Sequence, residues 1–225
     1  MKILHLESSS RNCSVAISDE ENLLCLCEEV SENYKQSESL HIFVQWALEG
    51  AGISLQELDA VCLGMGPGSY TGLRIGAAAA KGFCFGLGIP LVAVNSLDTL
   101  AIPFVGKGFD LIIPMVDARR MEVYCRAYDG RTGLPLNETT ALILDENSFS
   151  EFQGRNVLFV GDGAQKARDI LEITANFETS VFPSAQFLIR GATEKFRQKS
   201  FEDIAYFEPF YLKDFQGVKQ KKNGA

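Results

Sequence analysis

Two acidic residues stand where a strand-like run gives way to a polar turn: Glu7 before Ser8-Ser9-Ser10, and Asp117 before Ala118-Arg119-Arg120. An acid there can manage a divalent cation and its water. A glycine-bearing turn after it can aim backbone N–H groups at phosphate oxygens, which bulky side chains obstruct. Neither turn contains a glycine. Glu7 and Asp117 are therefore read as strand-end and turn hydrogen-bonding groups, with nucleotide hydrolysis the disfavoured alternative. The other candidate is Gly66-Pro67-Gly68-Ser69-Tyr70-Thr71-Gly72. No Gly-Lys-Ser/Thr follows it, and Gly72 comes one position too late for the dinucleotide fingerprint. Ser69 is flanked two residues away by Pro67 and Thr71, not by the glycines of a nucleophile elbow. A tight strand-to-helix turn remains, whose amides either meet an anion or simply pack. His5 and His41 are the only histidines, and neither has a partner pattern suited to a triad or a metal. Cys13, Cys25, Cys27, Cys62, Cys84 and Cys125 lie in apolar runs and read as reduced core thiols. Cys25-Leu26-Cys27 lacks the two-residue spacer of a metal or redox pair. No catalytic, cofactor-binding or metal-binding residue is expected.

The elements that must hold these residues come in two sets. Lys2 to Leu6, Cys13 to Ile17 and Leu23 to Glu29 read as strands. A helix follows, with Leu40, Phe43, Val44, Ala47, Leu48 and Ala51 on one stripe. Ser54 to Glu57 is a capping-box turn, and Asp59 to Met65 is a buried strand. A small-residue helix from Leu73 to about Leu87, a strand at Pro90 to Val94 and a helix cap at Asn95 complete the first set. The second begins near Phe109, with strands at Leu111 to Asp117, Met121 to Tyr128 and Val157 to Val160 and a helix from Ala164 to Ile173. Glu7 and Asp117 each lie 12 residues before a hairpin aspartate, Asp19 or Asp129. Gly64-Met65-Gly66 corresponds to Gly161-Asp162-Gly163. Both halves therefore read strand, strand, strand, helix, strand, helix, an internal duplication that fixes the architecture. That order is the pattern of the actin-like, Hsp70-like and sugar-kinase folds: an α/β protein of two lobes around a cleft. The expected division is 1–104 and 105–225, the last segment either returning to the first lobe or staying apart.

Two helix faces point to a partner. Gly68, Gly72, Gly76 and Ala80 fall four apart, and apart from Arg74 and Lys81 that helix is apolar all round. It must be covered on every side, by the core alone or by a helix of a second chain. On the earlier helix, Ile42 and Trp46 project about 200–240° away from Leu40 at 100° per residue. They read as an interface anchor, or as a Trp covered by a neighbouring loop. Composition narrows the partners. With 21 basic against 29 acidic residues the net charge is −8, and no basic stripe marks a chain that grips nucleic acid by itself. The tail Lys219, Lys221, Lys222 reads as a solvated end. No apolar run reaches the roughly 18 residues of a membrane span. The opening Met-Lys leads into a strand pattern without a signal-peptide core, so a cytoplasmic chain is expected.

Gly66-Pro67-Gly68-Ser69-Tyr70-Thr71-Gly72-Leu73-Arg74-Ile75-Gly76 closely resembles the signature of the TsaB (YeaZ) family. Asn95 to Ala101, Asp117 to Arg120 with Glu122-Val123-Tyr124, Gly161-Asp162-Gly163 and Pro209 to Lys213 carry weaker likenesses. The resemblance implies an actin-like fold without catalytic competence, in a cytoplasmic subunit needed for threonylcarbamoyladenosine at position 37 of tRNAs reading codons that begin with A. It implies a catalytic TsaD-type partner, a TsaE-type ATPase and a donor made by TsaC-type enzymes. ATP and a metal ion are then used by those partners, and tRNA is met only within the complex. The paired-His motif of TsaD is absent here. The resemblance further implies pairing with TsaD, or with a second copy, through the first two helices. Ile42, Trp46, Gly72, Leu73, Arg74, Gly76 and Ala80 are the expected interface residues. Glu7 stands where the family usually has Asp, and Gln36 and Ile42 replace a His and a Pro. An actin-like ATPase or small-molecule kinase is the alternative, and a peptidase lacks a nucleophile–base pair.

Overall fold

The computed structural model describes residues 1–31 and 36–213. The tail lysines singled out above lie outside them. The first repeat runs β1 (Lys2–Glu7), β2 (Asn12–Asp19), β3 (Asn22–Val30), α1 (Gln36–Ala51), β4 (Ala60–Gly64), α2 (Tyr70–Leu87), β5 (Leu91–Val94) and α3 (Ser96–Ala101). The second runs β6 (Leu111–Asp117), β7 (Glu122–Cys125), β8 (Tyr128–Asp129), β9 (Thr140–Ile143), β10 (Val157–Val160), α4 (Ala164–Ile170), β11 (Asn176–Glu178) and α5 (Ile189–Arg197). The sheets are ordered β3-β2-β1-β4-β5 and, in corresponding order, β9-β7-β6-β10-β11. In each, the central strand is antiparallel to the hairpin strand beside it and parallel to the strand on its other side. The duplication read from the sequence is a structural repeat.

Strand alternation sorts the cores. Leu4, Leu6, Val61 and Leu63 face α1 and α2, whereas Ile3, Cys62, Val92 and Val94 face α5 and the turn before it. The α1 stripe from Leu40 to Leu48 is buried on this sheet. The second repeat departs from the expected order after β9, where a single 3-10 turn at Ser150–Phe152 replaces the helix. The strand expected from Met121 to Tyr128 is broken at Arg126-Ala127, where the Asn137 side chain takes the Ala127 N–H. Its two pieces, β7 and β8, keep one register along β6.

The helical layers cross between the repeats. α3 closes the first repeat but packs Leu97, Leu100 and Ala101 on Ile112, Val116 and Leu158 of the second sheet. Ala185, Leu188 and Ala192, from the second repeat, pack on the first sheet. Phe207 then enters the core beneath α1 and α2. A boundary at residue 104 thus separates the sheets but not the lobes. Residues 96–104 lean on the second sheet, and 185–207 belong to the first.

His5 lies within β1 at 0% exposure, its Nε2 2.8 Å from Ser18 Oγ and its Nδ1 without a partner. Burial pushes its pKa down to about 3, against roughly 6.5 in an unfolded chain. Protons therefore favour the unfolded chain between these values. His5 contributes stability that is whole above pH 6.5 and lost as pH falls toward 3, by up to about 1.4 kcal/mol per unit. Glu7 works in the opposite sense, because burial raises its pKa, and it is common to wild type and any His5 variant. Urea midpoints of wild type and His5→Asn at pH 7.5 and 5.5 isolate the histidine. Wild type should lose about 1 kcal/mol more, and equal losses would mean that His5 is not held neutral.

Candidate functional site

The two lobes enclose a cleft of about 1620 Å³, bordered by Ser9, Ser10, Gly68, Tyr70, Asp117, Arg119, Arg120, Asp162 and Tyr211. Glu7 and Asp117 are the last residues of the two central strands, so both polar turns open on this space. Several of their backbone donors are already engaged. The buried Glu7 carboxylate accepts the Ser9 N–H at 2.8 Å and the Ser96 hydroxyl at 2.8 Å. Burial raises its pKa, while hydrogen bonds from Ser9, Ser96 and the Ser8 backbone oppose the rise. At the second turn the Asp117 N–H donates to Asp162, the Ala118 N–H to the Glu122 carbonyl and the Arg119 N–H to Asp117. Lys166 neutralises Asp117 at 2.7 Å. Glu7 caps its own turn from within the core, whereas Asp117, which caps the Arg119 N–H, stays exposed at the cleft. The amides that have these partners are not free to receive a nucleotide's phosphates.

The glycine turn completes this closure. Ser69 donates its N–H to the Ser9 carbonyl at 2.6 Å, and its hydroxyl caps α2 by accepting the Gly72 N–H. The Ser69 amide is thus spent on packing the turn against the chain itself. The small residues behind it let α2 lie against the first turn. A Cβ on Gly68 would stand 2.2 Å from the Ser9 carbonyl oxygen, and one on Gly72 2.1 Å from that of Ser8. One on Gly76 would stand 2.3 Å from Ser8 Oγ. The Gly68/Gly72/Gly76/Ala80 stripe therefore meets the chain's own β1–β2 turn and sheet. This corrects the expected interface: Gly72, Leu73, Gly76 and Ala80 are buried inside the first lobe.

The other expected residues lie outside. Ile42 is 47% exposed, Trp46 is 53% exposed, and Arg74 is exposed on α2. Trp46 rests on Phe43, ring centroids 5.7 Å apart, and His41 meets Phe83 across the two helices at 5.8 Å. Four residues missed at first complete this face. Ala78, Gly82 and Gly86 continue from Arg74 at fourfold spacing, about 200° around the helix from the inner stripe, and Phe85 beside them is 85% exposed. A Cβ on Gly82 or Gly86 would meet nothing within 4 Å. The sequence holds two small-residue ladders on one helix, and only the inner one is used by the core. The exposed side of α1 thus carries Trp46 and Ile42 among Gln45 and Glu49, and that of α2 carries Phe85 beside an open glycine track.

His5 touches Ser18, but both are fully buried within the sheet. Among the described residues no cluster of His, Cys, Asp and Glu could hold a metal ion, and no helix is long and apolar enough to cross a membrane.

A family model described as TsaD, tRNA N6-adenosine threonylcarbamoyltransferase, matches residues 28–214. The tRNA threonylcarbamoyladenosine biosynthesis protein TsaB of Bacillus subtilis is 30% identical over 95% of this chain and 94% of its own length. TsaB of Escherichia coli is 28% identical over 95% of both chains. Among solved structures, YeaZ of Pseudomonas aeruginosa superposes with a TM-score of 0.82 at 26% identity, covering 94% of this chain and 99% of that one. The activator of 2-hydroxyisocaproyl-CoA dehydratase from Clostridium difficile, solved with ADPNP, matches with a TM-score of 0.50 at 12% identity over 90% of this chain and 99% of that one, a likeness of fold alone. The architecture is the duplicated actin-like one. The matched model carries the TsaD description, yet the Bacillus subtilis and Escherichia coli relatives, each aligned with 95% of this chain, are TsaB proteins, and the chain belongs to the TsaB family.

Proposed function

We propose that this chain is the non-catalytic subunit of the complex that transfers threonylcarbamoyl to adenosine 37 of tRNAs reading codons beginning with A. It binds a TsaD-type catalytic subunit through the outer face of α1 and α2 and holds it in a productive state. The observation that carries this reading is the pair of exposed helix sides: Trp46 and Ile42 on α1, and Phe85 beside the open track of Ala78, Gly82 and Gly86 on α2. Aromatic anchors beside small residues let a partner helix approach closely and bury large side chains at its edges. The engaged turn amides favour a subunit over an actin-like ATPase or kinase. On this reading the chain has no cofactor of its own and works in the cytoplasm. ATP and a metal ion act on the partner subunits, a TsaE-type ATPase among them, and tRNA is met only in the complex. Without TsaD the same face pairs two copies of the chain.

The test is a reconstituted reaction containing TsaC-, TsaD- and TsaE-type proteins, with and without this chain. Threonylcarbamoyladenosine on tRNA is read by mass spectrometry. Modification should depend on the chain, and equal modification without it would overturn the assignment.

A further inference from the structure

The last described residues cross from one lobe to the other over the cleft. Phe207 is anchored in the first lobe's core, and the Phe210 N–H donates to the Met65 carbonyl at 2.8 Å. The Tyr211 ring then lies on Tyr70, in the first turn of α2, with centroids 5.0 Å apart. Two residues on, Lys213 forms an ion pair with Glu122 at the start of β7, in the second lobe. Residues 207–213 are therefore a strap, rooted in one lobe and tied to the other. Arg74 belongs to two structures at once. Its guanidinium sits 4.8 Å from the Tyr70 ring centroid, and its charge and hydrogen bond favour ionisation of the Tyr211 hydroxyl against the rise caused by burial. It is also the first residue of the exposed track that runs through Ala78 to Gly86.

We propose that this strap couples the closure of the two lobes to the partner-binding face, with Arg74 as the shared residue. With Lys213 on Glu122, Tyr211 is held on Tyr70, and the pair of rings fixes Arg74 and the first turn of α2 before a partner arrives. With that tie broken, the partner must itself order this turn, and its apparent affinity falls by the fraction of chains that are not pre-arranged. The closed turns at the base of the cleft leave the strap as the adjustable connection at its mouth.

The coupling to a partner rests on the functional reading above, whereas the strap itself can be read in the free chain. Hydrogen exchange by mass spectrometry and affinity for a TsaD-type subunit would be measured for wild type, Glu122→Lys, Lys213→Glu and the double reversal. Each single change should speed exchange at residues 70–74 in the free chain and weaken binding about fivefold, the scale of a half-buried ion pair. The double reversal should restore both, which a general loss of folding would not do. Unchanged exchange at 70–74 in both single variants would overturn the strap. Faster exchange with unchanged affinity would overturn the coupling. A wild-type chain that binds no TsaD-type subunit would instead sink the functional reading, leaving the strap to be decided by exchange alone.

Discussion

Gly72→Ala should lower the stability of the free chain by about 2–3 kcal/mol, a fall in melting temperature of roughly 5–10 °C for a protein of this size. In an exposed helix the same change raises stability by up to about 1 kcal/mol, because alanine is the better helix former and loses less backbone entropy. Here the added methyl would stand 2.1 Å from the Ser8 carbonyl oxygen, a backbone atom that cannot swing aside. That backbone is held on both sides. The Ser8 hydroxyl donates to the Gly72 carbonyl at 2.9 Å, and the neighbouring Ser9 carbonyl accepts from Ser69. Room for the methyl requires α2 to lift off the β1–β2 turn, which loosens the closure at the base of the cleft. Gly82→Ala, on the outer side of the same helix where a Cβ meets nothing within 4 Å, is the matched control and should be neutral or stabilising. Denaturant midpoints of the two variants decide the matter. Gly72→Ala as stable as wild type would mean that α2 does not sit on that turn.

These two glycines also show what the sequence could and could not disclose. Strand alternation and the spacing of Glu7 and Asp117 from their hairpin aspartates made the repeat legible, because both express local geometry. The crossing of α3 and α5 onto each other's sheets was hidden. An apolar helix face says that it is buried, not which sheet buries it. The missing second-lobe helix was hidden for a similar reason, since the stretch from Asn147 to Phe152 has apolar residues but only enough structure for one 3-10 turn. On α2, a helix apolar all round carries two fourfold ladders, and nothing local says which faces the core. Only the placement of Ser8 and Ser9 against Gly68, Gly72 and Gly76 resolves that, through contacts some 60 residues apart in the chain. Trp46 and Ile42 were legible because α1 has a single clear buried stripe, which leaves their side outside.

Trp46→Asp combined with Phe85→Asp should abolish measurable association with a TsaD-type subunit, a loss on the order of 100-fold or more, while leaving the free chain folded. Each residue is more than half exposed, so its removal takes little from the core. A central aromatic anchor contributes roughly 2 kcal/mol or more to an interface, about 30-fold in affinity. An aspartate in its place adds the penalty of a carboxylate desolvated without a partner. A bulky residue at Gly76 is the wrong probe for this question, because that position faces Ser8 and Leu63 and reports on folding. Gly82→Trp asks the same question from the other direction, filling the open track without touching the core. Titration calorimetry with the catalytic subunit, beside size-exclusion of the free chain, gives both readings. Wild type should bind and self-associate, the double aspartate variant should do neither, and its melting temperature should stay within a few degrees of wild type. If the variant binds with wild-type affinity, the partner rests elsewhere. If binding is lost but self-association persists, the two assemblies use different faces, and the outer surface of α1 and α2 belongs to the catalytic partner alone.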